Sequence, residues 1–275
     1  MGPLLLALGA SLAWGVGDFF GPLVSRTLGS LRVIFWAQVG GVLAIALAVA
    51  VRGQGPAGWG VLFAICAALG GMLGLFAYYR GMVAGAMSVV APIAGASAVI
   101  PVIFGIATGD SPSPAQIAGI ACALVGVALA SVEHHEGSRR VAAGAGLAVF
   151  AALGFGFYFP WMHAAGKVDF WWASLVFRST ALLILLAVVG ARRTPLRLRP
   201  RDLIVVCLVG VLDTIGNVLF AASSGHGLIS LTSVLASLYP VITVLLASTV
   251  LHERVAPLQK AGIVLTLAGV VLISF

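Results

Sequence analysis

An all-α membrane protein of ten transmembrane helices, arranged as two inverted five-helix repeats, is the fold this sequence predicts. Three observations carry the prediction. Hydrophobic residues make up 61% of the 275 positions and charged residues only 8%, where a soluble domain carries about 25% charged residues. The apolar residues gather into ten runs, most of them near the ~20 residues that a helix needs to cross the hydrocarbon core. Two segments about 143 residues apart also repeat one pattern, as duplicated membrane proteins do.

The runs follow one another with short connections, which leave no room for a soluble domain. The first, Pro3–Val24, has no Lys or Arg before Arg26. It therefore lacks the basic segment of a signal peptide and is expected to be retained. Next come Leu31–Val51, Trp59–Tyr79, Met82–Thr108 and Ala115–Val132, completing a first unit over residues 1–136. A second unit, residues 137–275, holds Ala142–Trp161, Phe170–Gly190, Leu203–Ala222, Leu228–Leu251 and Leu258–Phe275. Lipid offers the backbone no hydrogen-bond partners, so each run is expected to be helical. Pro92 and Pro101 in the fourth run and Pro240 in the ninth are expected to interrupt their helices, because proline has no N–H and clashes with the preceding turn. An odd number of spans per unit inserts the second copy upside down, the arrangement on which alternating access is commonly built.

The repeated pattern is specific. Gly109-Asp110-Ser111-Pro112-Ser113-Pro114-Ala115-Gln116-Ile117-Ala118-Gly119 is echoed by His252-Glu253-Arg254-Val255-Ala256-Pro257-Leu258-Gln259-Lys260-Ala261-Gly262. Each copy has an acid in a turn, a Pro that can start a helix, a Gln two residues later and a Gly three after that. A second glycine follows seven residues on, Gly126 in one copy and Gly269 in the other; these four glycines are expected to be close-packing positions. Trp14-Gly15-Val16-Gly17-Asp18-Phe19-Phe20 likewise matches Leu153-Gly154-Phe155-Gly156-Phe157-Tyr158-Phe159 in both glycines and two aromatic positions. Ser88 precedes Pro101 much as Ser230 precedes Pro240, but with three extra residues in the first copy, and Gln38 stands in register with Arg178.

These residues resemble the EamA-type, ten-helix members of the drug/metabolite transporter superfamily. The most specific pieces are the acid–Pro–Gln–Gly turns, the Trp-Gly start of the first span, and Leu235-Ala236-Ser237-Leu238-Tyr239-Pro240. The resemblance covers essentially the whole chain. It implies a permease or exporter for amino acids, small metabolites or toxic organic compounds, in the cell membrane of a prokaryote. It also implies a basic residue partway along the second and seventh spans. Arg178 fits that pattern and Gln38 departs from it.

Polar residues inside the spans are the candidates for a site, because each costs about 2.5–3.5 kcal/mol to place in lipid. Arg178 and Asp213 fall near the middle of adjacent spans. Arg178 can hold a solute carboxylate, with Asp213 as its partner or as a proton acceptor; the alternative is a permanent pair that only locks two helices together. Asn217 stands four residues beyond Asp213 and shares its helix face. Asp18 stands four beyond Trp14 and is the second candidate for coupling. Gln38 and the rings of Trp14, Tyr79, Tyr158 and Tyr239, with Tyr78, complete the expected lining.

The net charge of +7 sits mostly in connections, which reads as membrane orientation rather than as a surface for nucleic acid. The expected partners are a small-molecule solute and the lipid bilayer, with no nucleic acid, no cofactor and no metal, and the chain is expected to be a monomer or homodimer. Cys66, Cys122 and Cys207 lie in apolar runs and read as packing residues. The odd-numbered connections hold 12 of the 15 Lys and Arg, which puts both termini outside; the family resemblance implies termini in the cytoplasm. No histidine has the spacing of a zinc site. Ser223-Ser224-Gly225-His226 is the one hint of an intramembrane hydrolase, and neighbours at a helix end are poorly placed to act as nucleophile and base. A passive channel is the remaining alternative.

Overall fold

The computed structural model describes residues 2–84, 94–130, 138–250 and 256–275. Among them every regular element is helical, without a strand. In order these are α1 (Gly2–Leu28), α2 (Ser30–Arg52), a 3-10 turn (Trp59–Leu62) leading into α3 (Phe63–Ala84), a second 3-10 turn (Ala96–Ala98), α4 (Val99–Ala107), α5 (Pro114–Ala130), α6 (Ser138–Arg192), α7 (Pro200–His226), α8 (Ile229–Ala236), α9 (Tyr239–Val250) and α10 (Pro257–Ile273). Ser88, Pro92, His134, His135, His252, Glu253, Arg254 and Val255 lie outside the described residues.

Six helical stretches among the described residues are long and apolar enough to cross a membrane, and three shorter apolar helices accompany them. One stretch, Gly146–Arg192, is 47 residues long, or ~70 Å at the α-helical rise. That is more than twice the thickness of the hydrocarbon core. The outer surface carries Leu43, Leu47, Leu183, Ile204 and Val264, each at least 61% exposed, as a lipid-facing surface requires. The protein is a multi-pass, all-α membrane protein.

Two expectations about element limits need correction. The sixth and seventh runs were expected to be separate helices joined by a loop, which would put His163 in that loop. The helix instead continues past Trp161, and only Asp169 leaves helical geometry (φ −163°, ψ 103°). Nothing in residues 162–168 breaks a helix, and Gly166 lets it run close to α7, since a Cβ there would lie 2.6 Å from the Ala221 carbonyl oxygen. The break comes where the Asp169 carboxylate accepts the backbone N–H groups of Trp171 (3.1 Å) and Trp172 (3.3 Å), capping the arm that follows. The third helix also continues past Tyr79 to Ala84.

The prolines act as expected where they are described. The ninth run is interrupted at Ser237–Leu238, between α8 and α9, immediately before Tyr239-Pro240. Pro101 stands in the first turn of α4, after the 3-10 turn.

Close packing relies on small residues, since lipid supplies no hydrophobic drive between helices. A Cβ on Gly119 would lie 2.8 Å from the Gly269 oxygen, and one on Gly126 would lie 2.5 Å from the Thr266 nitrogen. The glycines of the repeated motif thus bring α5 and α10 into backbone contact. The Pro-x-Gln part of the motif is a helix start. The Gln116 side chain accepts the Ser113 N–H (2.9 Å) and the Ser113 hydroxyl accepts the Gln116 N–H (3.2 Å), a reciprocal capping box. In the second copy Ala256 has no hydroxyl, and only the Gln259 half remains (2.9 Å).

Packing is also reciprocal between the two ends of the chain. α1 lies along α7, and α3 lies along α6, where Gly70 and Gly74 meet Gly154, Phe155 and Phe157 and Gly71 meets Phe177. α2 lies against α7 and the second arm, 170–192. Cys207 joins the α2–α7 seam, where a Cβ on Gly40 would lie 2.7 Å from its Cα.

Candidate functional site

The polar centre forms where α2, the second arm of α6 and α7 meet. Arg178 is completely buried. One terminal nitrogen, Nη1, donates to Gln38 Oε1 at 2.9 Å. The other, Nη2, donates to Asp213 Oδ2 in a short ion pair. Its Nε has no partner. The two positions that the sequence sets in register thus meet directly, and the guanidinium bridges α2 to α7. Glycine makes the approach possible. A Cβ on Gly41 would collide with the Thr214 hydroxyl, and the Arg178 Nε would lie 3.4 Å away.

Asp213 stands at the middle of α7, and its side chain is 42% accessible although its partner is 1% accessible. One carboxylate oxygen is committed to Arg178, and the other has no hydrogen-bond partner among the described residues. One turn on, Asn217 is buried and its Oδ1 accepts the Tyr158 hydroxyl at 2.8 Å. The (i, i+4) placement therefore yields two different outcomes on one helix face, an accessible acid and a buried amide.

The aromatic residues surround this centre. Trp14 meets Tyr158 edge-on with centroids 6.3 Å apart, and Tyr158 meets Phe177 at 5.2 Å. Phe159 and Phe220, which sequence reasoning did not single out, complete the cluster at 4.9 Å from each other. Tyr239 packs against its edge. Tyr78 and Tyr79 form a second pair, 6.3 Å apart. Asp18 lies within electrostatic range of Asp213 and of Tyr78, Tyr79 and Tyr239. The structure thus joins Arg178, Gln38 and Asp213 in one chain of bonds, and Tyr158 with Asn217 in another. It leaves Asp18, Tyr79 and Tyr239 as neighbours without a hydrogen bond to either chain.

Sequence reasoning missed two acids that fasten helix ends. Arg52, at the end of α2, donates through Nη1 to both carboxylate oxygens of Asp169, at 2.8 and 2.7 Å. Trp172 Nε1 donates to the Gln54 carbonyl beside it (2.8 Å). Asp110 Oδ2 accepts the Ser230 N–H (2.8 Å) and hydroxyl (2.7 Å), holding the start of α8. Asp169 immediately precedes an apolar run and was legible as a cap; Asp110 fastens a helix 120 residues away, which no local signal shows. Ser223 donates its hydroxyl to the Pro3 carbonyl (2.7 Å) and Ser224 to Ala221 (3.5 Å), so the serines of the hydrolase-like tetrapeptide serve helix packing.

With this geometry in place, comparison with known proteins is informative. The model of the EamA-like transporter family matches the chain twice, over residues 1–132 and 142–275. A search of curated proteins returns no match. A solved structure, titled "Crystal structure of protein", superposes with a TM-score of 0.78 over 98% of this chain and 95% of its own, at 17% identity, which speaks for a shared fold. The chain belongs to the EamA-like transporter family.

Proposed function

We propose that this EamA-like protein exports small zwitterionic metabolites such as amino acids, by alternating access between two inverted five-helix units, residues 1–136 and 137–275. Membership of the family makes it a membrane transporter of the drug/metabolite transporter superfamily; the solute, the direction and the repeat mechanism are the proposal.

The repeat reading is supported by which contacts recur. Trp14 presses on Gly216 of α7, and Phe155 presses on Gly74 of α3. A Cβ on Gly15 would strike Ile242 of α9, and one on Gly156 would strike Ile100 of α4. These contacts equate Trp14 with Phe155, two residues along from the Leu153 that the motif aligns with it. A two-fold relation places Gln38 and Arg178 beside its axis, where they touch.

The observation that carries the solute reading is the unequal Arg178–Asp213 pair. A solute carboxylate can replace Asp213 on Nη2, while the solute ammonium takes the released Asp213 and the nearby Asp18. Arginine suits such an exchange because its fork binds carboxylates in a fixed geometry. In this role Gln38 holds the other end of the guanidinium, Asn217 and Tyr158 hold the wall, and Trp14, Tyr79 and Tyr239 shape the space. Protonation of Asp213, with Asp18 as the second acid, would couple transport to a proton gradient.

One observation favours a second solute class, toxic organic cations. Two carboxylates, Asp18 and Asp213, lie within electrostatic range of each other and of Tyr79, and rings attract cations over their faces. Uptake and efflux in liposomes, screened with labelled amino acids and aromatic cations, separates the two. Saturable transport of amino acids that aromatic cations do not inhibit supports the zwitterion. Saturable movement of cations alone would overturn it, and non-saturable flux of both would replace the transporter mechanism with a channel.

A further inference from the structure

We propose that the connection between α6 and α7 is a docking strip for the phosphate headgroups of anionic lipids. Five arginines, Arg192, Arg193, Arg197, Arg199 and Arg201, fall within ten residues, and all are exposed. Among the described residues, no side-chain hydrogen bond or ion pair joins any of them to another residue. Asp202 is the only acid in the connection or the first turn of α7. The contrast with Arg52 is direct, since that guanidinium is held by both oxygens of Asp169.

The strip has a shape. α6 ends as Arg193 turns into left-handed geometry (φ 49°). From Leu196 to Arg201 apolar or cyclic residues then alternate with arginines. Leu196 and Leu198 are half-buried while Arg197 and Arg199 are exposed. Arg199 is extended (φ −71°, ψ 149°), and an extended chain sends successive side chains to opposite faces. The inner face is pinned, because the Trp36 indole N–H donates to the Leu196 carbonyl at 2.7 Å and Leu196 packs on the Ile34 and Phe35 cluster. The arginines are therefore presented outward by a fastened backbone.

The neighbouring surface selects the occupant. Leu183 and Leu186 before the strip, and Ile204, Val205 and Leu208 after it, are exposed apolar residues on helices that belong in lipid. The arginines stand where that surface ends, which is the depth of headgroup phosphates. Arginine binds phosphate through paired N–H donors, and clustered basic residues next to a span draw anionic lipid. A soluble phosphate would gain nothing from the apolar flanks.

The test uses the full chain in phosphatidylcholine vesicles, with and without phosphatidylglycerol, read by the thermal unfolding midpoint and by lipid retained in native mass spectrometry. Wild type should gain several degrees and retain phosphatidylglycerol, and high salt should remove both effects. The variant Arg197→Gln/Arg199→Gln/Arg201→Gln should match wild type in phosphatidylcholine and lose at least half of the gain. The variant Arg197→Lys/Arg199→Lys/Arg201→Lys, which keeps charge without the fork, should fall between them and guards against a folding defect. A wild-type response in the glutamine variant, or inorganic phosphate reproducing the gain in phosphatidylcholine, would overturn the proposal.

Discussion

Arg52–Asp169 and Arg178–Asp213, both among the described residues, are opposite in burial. In Arg52–Asp169 the acid is 2% accessible and the base 29%. In Arg178–Asp213 the base is 1% accessible and the acid 42%. Asp169 accepts four hydrogen bonds, two from Arg52 and two from backbone N–H groups, so its carboxylate is saturated. Asp213 accepts one. A buried, saturated acid at a helix break is a fastening; an accessible, half-used acid at mid-span is free to exchange partners. Two ion pairs of identical chemistry thus differ in which member the fold hides, and the proposed transport role falls to the pair whose acid is accessible.

The largest effect should come from Arg178. Arg178→Gln leaves Gln38 unbridged and removes the cation paired with Asp213. The two bonds lost are charge-assisted, about 1.5–3 kcal/mol each, while the half-accessible Asp213 left behind can be solvated. A large fall in unfolding temperature and loss of transport are expected in liposomes. Arg178→Lys should be nearly as inactive, because an ammonium cannot span Gln38 and Asp213 together. Arg178→Gln combined with Asp213→Asn should recover expression but not transport. Full recovery of both would make the pair a lock and erase the distinction from Arg52–Asp169.

Asp213→Asn alone leaves the buried Arg178 guanidinium without its counter-charge, so a lower unfolding midpoint is expected, although the amide oxygen can still accept from Nη2. We expect loss of proton-driven accumulation with solute exchange at equal pH preserved. Unchanged accumulation across a pH gradient would instead make Asp213 structural.

A smaller effect is expected at the other pair. Asp169→Asn keeps a cap oxygen but loses the charge that holds Arg52. A cost of about 1–3 kcal/mol follows from weakening charge-assisted bonds, visible as a lower midpoint with the solute concentration for half-maximal transport unchanged. A shift in that concentration as large as for Asp213→Asn would show that both pairs work. Tyr158→Phe should be milder still, removing one hydrogen bond to buried Asn217, about 1 kcal/mol, with a few-fold weaker solute response.

The mildest change marks orientation. Thr194→Cys lies between the two pairs' helices, in the arginine-rich connection, and should leave transport unaltered. If the charge bias sets the topology, an impermeant thiol reagent added to intact cells will not label it. Labelling there would put this connection outside and the termini inside.

By itself the sequence determined the membrane class, the helical character, the packing glycines of α5 and α10, and the depth at which charges had to collect. Composition, run length and the cost of bare backbone in lipid leave little choice in these. It also put Gln38 and Arg178 at matching positions. Only the tertiary structure decided that those two touch, that Asp213 is accessible while Asn217 one turn on is buried, and that Asp169 divides α6. The reason is physical: every face of a membrane helix is apolar, so periodicity does not say which face meets protein, lipid or solvent. Exposure, and with it the difference between a saturated and a half-used carboxylate, is a property of neighbours contributed by distant parts of the chain.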